Sequence, residues 1–151
     1  MARWQRGEAE IEALIGAGDL QELVDQAAGG QPLLDKSKVT VETARLAAGQ
    51  DPDSAFVLAY DAARQALTAL LAHQGLRPTS KGGHYAVEQA VRAQFGSGFR
   101  QFGALRRRRN ELEYPERFDD GATGGEVVEA IMNAELIISA AEELLDQLGQ
   151  F

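Results

Sequence analysis

The chain contains no cysteine, which excludes disulfides, thiolate metal sites and cysteine nucleophiles. No apolar run approaches the roughly 20 residues that a membrane span needs, so no membrane is expected among its partners. No strand-like alternation, internal repeat or low-complexity tract interrupts the sequence. Histidine occurs only at positions 73 and 84. Two distant imidazoles without a thiol give a zinc site no support, and neither a metal nor another cofactor is expected. Gly82-Gly83 is too little for a phosphate-binding loop with its lysine, and no serine-triad signature is present. Glu8, Glu10 and Glu12 follow closely on Met1-Ala2-Arg3. They break the pattern of a signal or transit peptide, so the expected location is cytoplasmic.

Charge is also missing selectively. No acidic residue lies between Glu88 and Glu111, a stretch that holds Arg92, Arg100 and the run Arg106-Arg107-Arg108-Arg109. No basic residue follows Arg117, whereas acids recur from Asp119 to Asp146. The net charge of -8 argues against a surface that grips nucleic acid throughout. It leaves one basic segment inside an acidic molecule. The plainest account of that segment is neutralisation by a neighbouring acidic helix.

What is present is helical periodicity. Ile11, Leu14 and Ile15 form a short amphipathic segment, and Leu20, Leu23 and Val24 form another, closed by Gly29-Gly30. Pro32 suits the first turn of a helix running toward Gly49, although Val39-Thr40-Val41 is poor helix material. Asp51-Pro52-Asp53-Ser54 supplies a helix start. Phe56, Tyr60, Ala63, Leu67 and Leu70 then mark a core-facing stripe. A loop at 77–83 leads to a helix through Val87, Val91 and Phe95. The basic helix runs from about Phe99 to about Tyr114, where Pro115 stops it. Thr123-Gly124-Gly125-Glu126 has the form of a capping box. It opens the most regular stripe, Val127, Ile131, Ala134, Ile138, Ala141, Leu145 and Leu148. The predicted fold is all-α, an antiparallel up-and-down bundle of four to five helices over residues 31–151, preceded by a helical extension over 1–30.

Chemistry concentrates in Arg109-Asn110-Glu111-Leu112-Glu113-Tyr114. Arg109 falls on the same stripe as Phe102, Leu105 and Leu112. A guanidinium on a core-facing stripe needs a partner or a water-filled cleft, because unpaired burial of its charge is costly. Two readings stand open: a salt bridge to Glu113, four residues on, or a cleft in which the planar fork binds a phosphate. Tyr114 is five residues beyond Arg109, about 140° around a regular helix, so the two converge only if the helix loosens near its end. The bland readings of Tyr114 and His84 are a buried tyrosine and a structural histidine; His73 is read as structural.

Asp53-Ser54-Ala55-Phe56 through Leu71, the Lys81-Gly82-Gly83-His84 turn and Arg109–Pro115 together resemble the HEPN superfamily, and within it a branch of small bacterial proteins. The resemblance covers roughly residues 33–148. The superfamily's signature is an Arg, often followed by a polar residue, with a His after four to six positions. Arg109 and Asn110 match its start, and Tyr114 stands where the shortest form has His. The resemblance implies a homodimer with Arg109, Tyr114 and His84 as candidate catalytic groups and Arg109, Asn110 and Arg106 as phosphate ligands. It implies an RNA or nucleotide ligand, metal-independent endoribonuclease chemistry, a toxin–antitoxin or defence setting, and a nucleotidyltransferase-type partner. Tyrosine, near 10, is a poor base at neutral pH, whereas histidine titrates near 6.5. The alternative is therefore a non-catalytic bundle that dimerises or docks a partner.

Overall fold

The computed structural model describes residues 6–23, 29–148 and 151. The expectations for Met1-Ala2-Arg3 and for Val24 fall outside these. Six α-helices dominate the described residues, and the all-α class holds. In chain order they are α1 (Glu8–Gly16), α2 (Gln31–Ala47), α3 (Pro52–His73), α4 (Gly83–Phe95), α5 (Gln101–Glu113) and α6 (Gly124–Leu145).

The central element is α3. Asp51 starts it by accepting the Ser54 amide at 3.1 Å. Its buried residues reach well beyond the predicted stripe to include Ala55, Ala59, Ala62, Ala66, Ala69 and Leu71. A helix apolar around most of its girth is covered on several sides. Here α2 and α6 are the main covers, with α4 and α5 on the rest. The alanines let these neighbours approach closely, and each buried leucine contributes about 1.5–3 kcal/mol.

α2 runs unbroken through Val39-Thr40-Val41. Val41 is buried and the Thr40 hydroxyl donates to the Lys36 carbonyl at 3.0 Å, so tertiary burial overrides weak propensity. Lys38 pairs with Glu142 and Arg45 with Glu135, which sets α2 antiparallel to α6. The capping box of α6 is half formed. The Thr123 hydroxyl accepts the Glu126 amide at 3.1 Å, but the Glu126 carboxylate turns to Arg108 instead.

Two expectations need correction. The segment at Leu20 is not helical but a strand, β1 (Leu20–Glu22), paired antiparallel with β2 (Leu76–Pro78) in the register Leu20↔Pro78 and Glu22↔Leu76. Each strand contributes one buried leucine, Leu20 and Leu76. Three residues are too few for a period to register in the sequence. The basic helix begins at Gln101, because Gly96–Phe99 forms a 3-10 turn ahead of it.

Packed on α4 and β2, the elements α1 and β1 form part of the same body. A buried amide pair lies at the end of α3. Gln74 and Gln94 each donate to the other, at 2.6 and 3.0 Å, with neither side chain exposed. No helix among the described residues is long and apolar enough to cross a membrane.

Candidate functional site

Phe102 and Leu105 bury the inner face of α5, and Arg109 follows them one turn on. Its side chain keeps 23% of its surface exposed and pairs with Glu113. Arg109 and Glu113 also line a shallow hollow of about 470 Å³ with Asp53, Ser54, Val57, Leu58 and Leu112. The ion-pair reading of Arg109 is present, and the residue also borders a hollow. Its Nε is buried without a hydrogen-bond partner. Its Cζ lies 5.9 Å from the centroid of the Tyr60 ring, at the outer edge of a cation–π contact.

Tyr60 connects the groups that matter. It stacks on Phe102 at 5.3 Å and meets the His84 ring at 5.5 Å, tilted by 46°. Its ring is fully buried and its hydroxyl has no partner. Burial pushes that hydroxyl up to about 12, against the pull of the Arg64, Arg109 and Arg106 charges. His84 is held below the ordinary 6.5, first by burial and then by Arg64 and Arg109, with Asp61 opposing. It is accordingly neutral near pH 7, with one ring nitrogen able to accept a proton. Arg64 is half-buried and loosely paired with Asp61 at 3.7 Å, and its Nε also lacks a partner.

The turn carrying His84 is tightly fixed. The Thr79 hydroxyl donates to the Gly18 carbonyl at 2.6 Å and accepts the Gly82 amide at 3.1 Å. Lys81 Nζ donates to the Ala17 carbonyl at 2.6 Å. A Cβ on Gly82 would run into the Asp19 carbonyl, so this glycine is required by close approach. Gly83 supplies a φ of 52°, in the left-handed region that glycine adopts most readily.

The other predicted residues lie elsewhere. Arg106 pairs with the buried Glu88, which also accepts from Arg92 at 3.1 Å. Tyr114 does not join Arg109. It is 75% exposed and faces a separate hollow with Asn110, Glu111, Glu116 and Asp120. The helix does not loosen to bring them together. It stays regular to Glu113 and stops at Tyr114, whose φ of -125° and ψ of 65° leave the helical region. The hollow at Tyr114 has three carboxylates and no arginine, whereas the one beside Arg109 sets the guanidinium against Asp53 and Glu113, so a phosphate is disfavoured more strongly at Tyr114. Arg108 is committed to Glu126, Asp120 and Glu111.

The sequence reading passes over two members of the cluster, treating Tyr60 as core and leaving Arg64 unweighed. The available signal was Arg64 one turn beyond a core tyrosine, among the buried Ala62, Ala63 and Ala66. Among the described residues no group of three His, Asp or Glu side chains is arranged to hold a metal ion. Compared with protein-family models, curated proteins and solved structures, the chain matches none.

Proposed function

We propose that the chain is a HEPN-type helical bundle that binds a phosphate of RNA or of a nucleotide at Arg109, beside the cluster of Arg64, Tyr60 and His84. The observation behind this reading is a neutral imidazole and the Arg109 guanidinium on two sides of Tyr60, with the Arg64 charge acting on both rings. Arginine forks suit phosphate oxygens. An incoming phosphate would compete with Glu113 for Arg109, which makes binding conditional on that exchange.

The same groups suit slow, metal-independent RNA cleavage. His84 would take the proton from the 2′-hydroxyl as that oxygen attacks the adjacent phosphorus. The bond to the 5′-oxygen breaks, and that oxygen leaves with a proton drawn from water or from the imidazolium formed in the first step. Arg109 and Arg64 would stabilise the charge on the phosphoryl oxygens. This role falls to His84, because Tyr114 lies in another hollow. In this reading the protein works as a homodimer in a toxin–antitoxin or defence system, with a nucleotidyltransferase-type protein as its partner.

The test is cleavage of fluorescently labelled single-stranded RNA in excess chelator. Wild type should cut it, and Arg109→Ala and His84→Gln should each abolish cutting. Equal cutting by all three would mark a contaminant and overturn the reading. RNA binding without cutting would keep the phosphate-binding proposal and remove the cleavage step; neither binding nor cutting would favour the second reading, a non-catalytic docking module. The existing Arg109–Glu113 pair supports that alternative.

A further inference from the structure

We propose that the groove between α4 and the start of α5 is a second anion site that seats the backbone of a single RNA strand. This deepens the RNA reading above and rests on it, but it uses different residues on the opposite side of α5. The groove encloses about 480 Å³ and is lined by Arg92, Arg100, Arg107, Glu88, Gly103 and Ser97, among others.

Its construction points to a polyanion. Arg100, Gly103 and Arg107 are spaced three and four apart, so they lie along one stripe of α5. The two arginines stand about 10 Å apart along the axis, with the side-chain-free glycine between them. That glycine keeps the notch open. A Cβ there would lie 2.8 Å from Glu88 Oε1 and 3.3 Å from Arg107 Nη1.

The groove's one carboxylate is already satisfied. Glu88 is buried and binds both Arg92 and Arg106. Arg100 and Arg107 are exposed and form no ion pair among the described residues. In a chain with 23 acidic residues against 15 basic, two unpaired guanidinia on one groove wall are a localised positive field. The first turn of α5 adds to it, having no acidic residue and no side-chain cap.

Glu88 also links the two sites. It ties Arg106, which acts on Tyr60 and His84, to Arg92 on the groove wall. A strand lying in the groove would thus present its neighbouring nucleotides around α5 toward the Arg109 cleft. The groove would supply affinity and register, and the cleft would supply chemistry.

The experiment measures fluorescence anisotropy of a short 2′-O-methyl oligoribonucleotide, which cannot be cut, across a salt series. The double variant Arg100→Gln/Arg107→Gln should weaken binding about 10-fold or more at low salt. It should also reduce the slope of log Kd against log salt by about 1.4, two contacts at about 0.7 each. Arg100→Lys/Arg107→Lys should keep the wild-type slope. If the double glutamine variant fails to fold, Arg100→Gln and Arg107→Gln singly should each reduce the slope by about 0.7, and an unchanged slope in both would overturn the groove.

Wild-type affinity and slope in the glutamine variant would overturn the groove while leaving the cleft intact. Loss of binding in the groove variant but not in Arg109→Ala would support the groove and remove the cleft. No binding by wild type would overturn both. Equal competition by polyglutamate would assign the groove to an acidic polypeptide and overturn the RNA reading of it.

Discussion

The ring of His84, delivered by a glycine turn ahead of α4, lies 5.5 Å from that of Tyr60 in the middle of α3. This contact puts a titratable group into the field of Arg64 and Arg109, and it has a measurable consequence for stability.

His84 takes up a proton near 6.5 when the chain is unfolded, but only at lower pH when it is folded. Between those values the unfolded state holds more protons, so acid favours unfolding. His73, held down mainly by burial, acts in the same direction. The urea midpoint should therefore fall as pH drops through about 6.5 and level off once both folded imidazoles are charged. Replacing His84 with Gln should remove part of this slope, and His73→Gln another part. A slope unchanged in His84→Gln would show that its environment is not the one described.

Tyr60→Phe removes a buried hydroxyl that has no partner while keeping the stack on Phe102. Deleting an unsatisfied polar group costs no hydrogen bond. Stability in urea should stay within about 1 kcal/mol of wild type or rise. Oligonucleotide binding should be unchanged, because the buried hydroxyl does not reach the surface. A loss of several kcal/mol would mean that the hydroxyl is bonded after all.

The amide pair between Gln74 and Gln94 should behave as a unit. Gln94→Leu leaves the Gln74 amide buried without its partner, and should cost about 2 kcal/mol. The double replacement by leucine should cost less than the sum of the singles, with a coupling of about 1 kcal/mol. Chemical denaturation of the four proteins measures it, and strict additivity would refute the pairing.

Gly82→Ala forces a methyl against the Asp19 carbonyl. Overpacking against backbone should destabilise by about 2 kcal/mol. Because the turn must shift to relieve the clash, the pH dependence attributed to His84 should change as well. Stability equal to wild type in a melting experiment would argue that the approach is looser than described.

The long helices were legible because their stripes repeat over many turns. The stripe of α6 from Val127 to Leu145 is buried at Val127, Ile131, Ala134, Ile138, Ala141 and Leu145. The placement of Arg109 beside the core followed from the same counting. The cluster around Tyr60 was not legible, because it joins α3, α4 and α5 across contacts that no local period encodes. Tyr60 counts equally well as plain core, and Arg64 as a solvated charge. The β1–β2 ribbon escaped for a related reason, since three-residue strands leave no alternation to detect. Tyr114 shows the opposite failure. Motif spacing drew it toward Arg109, while the helix geometry that separates them was already calculable from five residues at 100° each.

The carbonyls of residues 17–19 form a bracket from which the His84 turn hangs, through Thr79, Lys81 and the bare Cα of Gly82. The aim of the imidazole is thereby set from residues 17–19, in the segment ahead of the main bundle. Damage to that bracket, such as Thr79→Val, would misdirect the imidazole while sparing every arginine. A defect mapped there would be one of alignment, arising in a segment that a bundle-only view would have trimmed away.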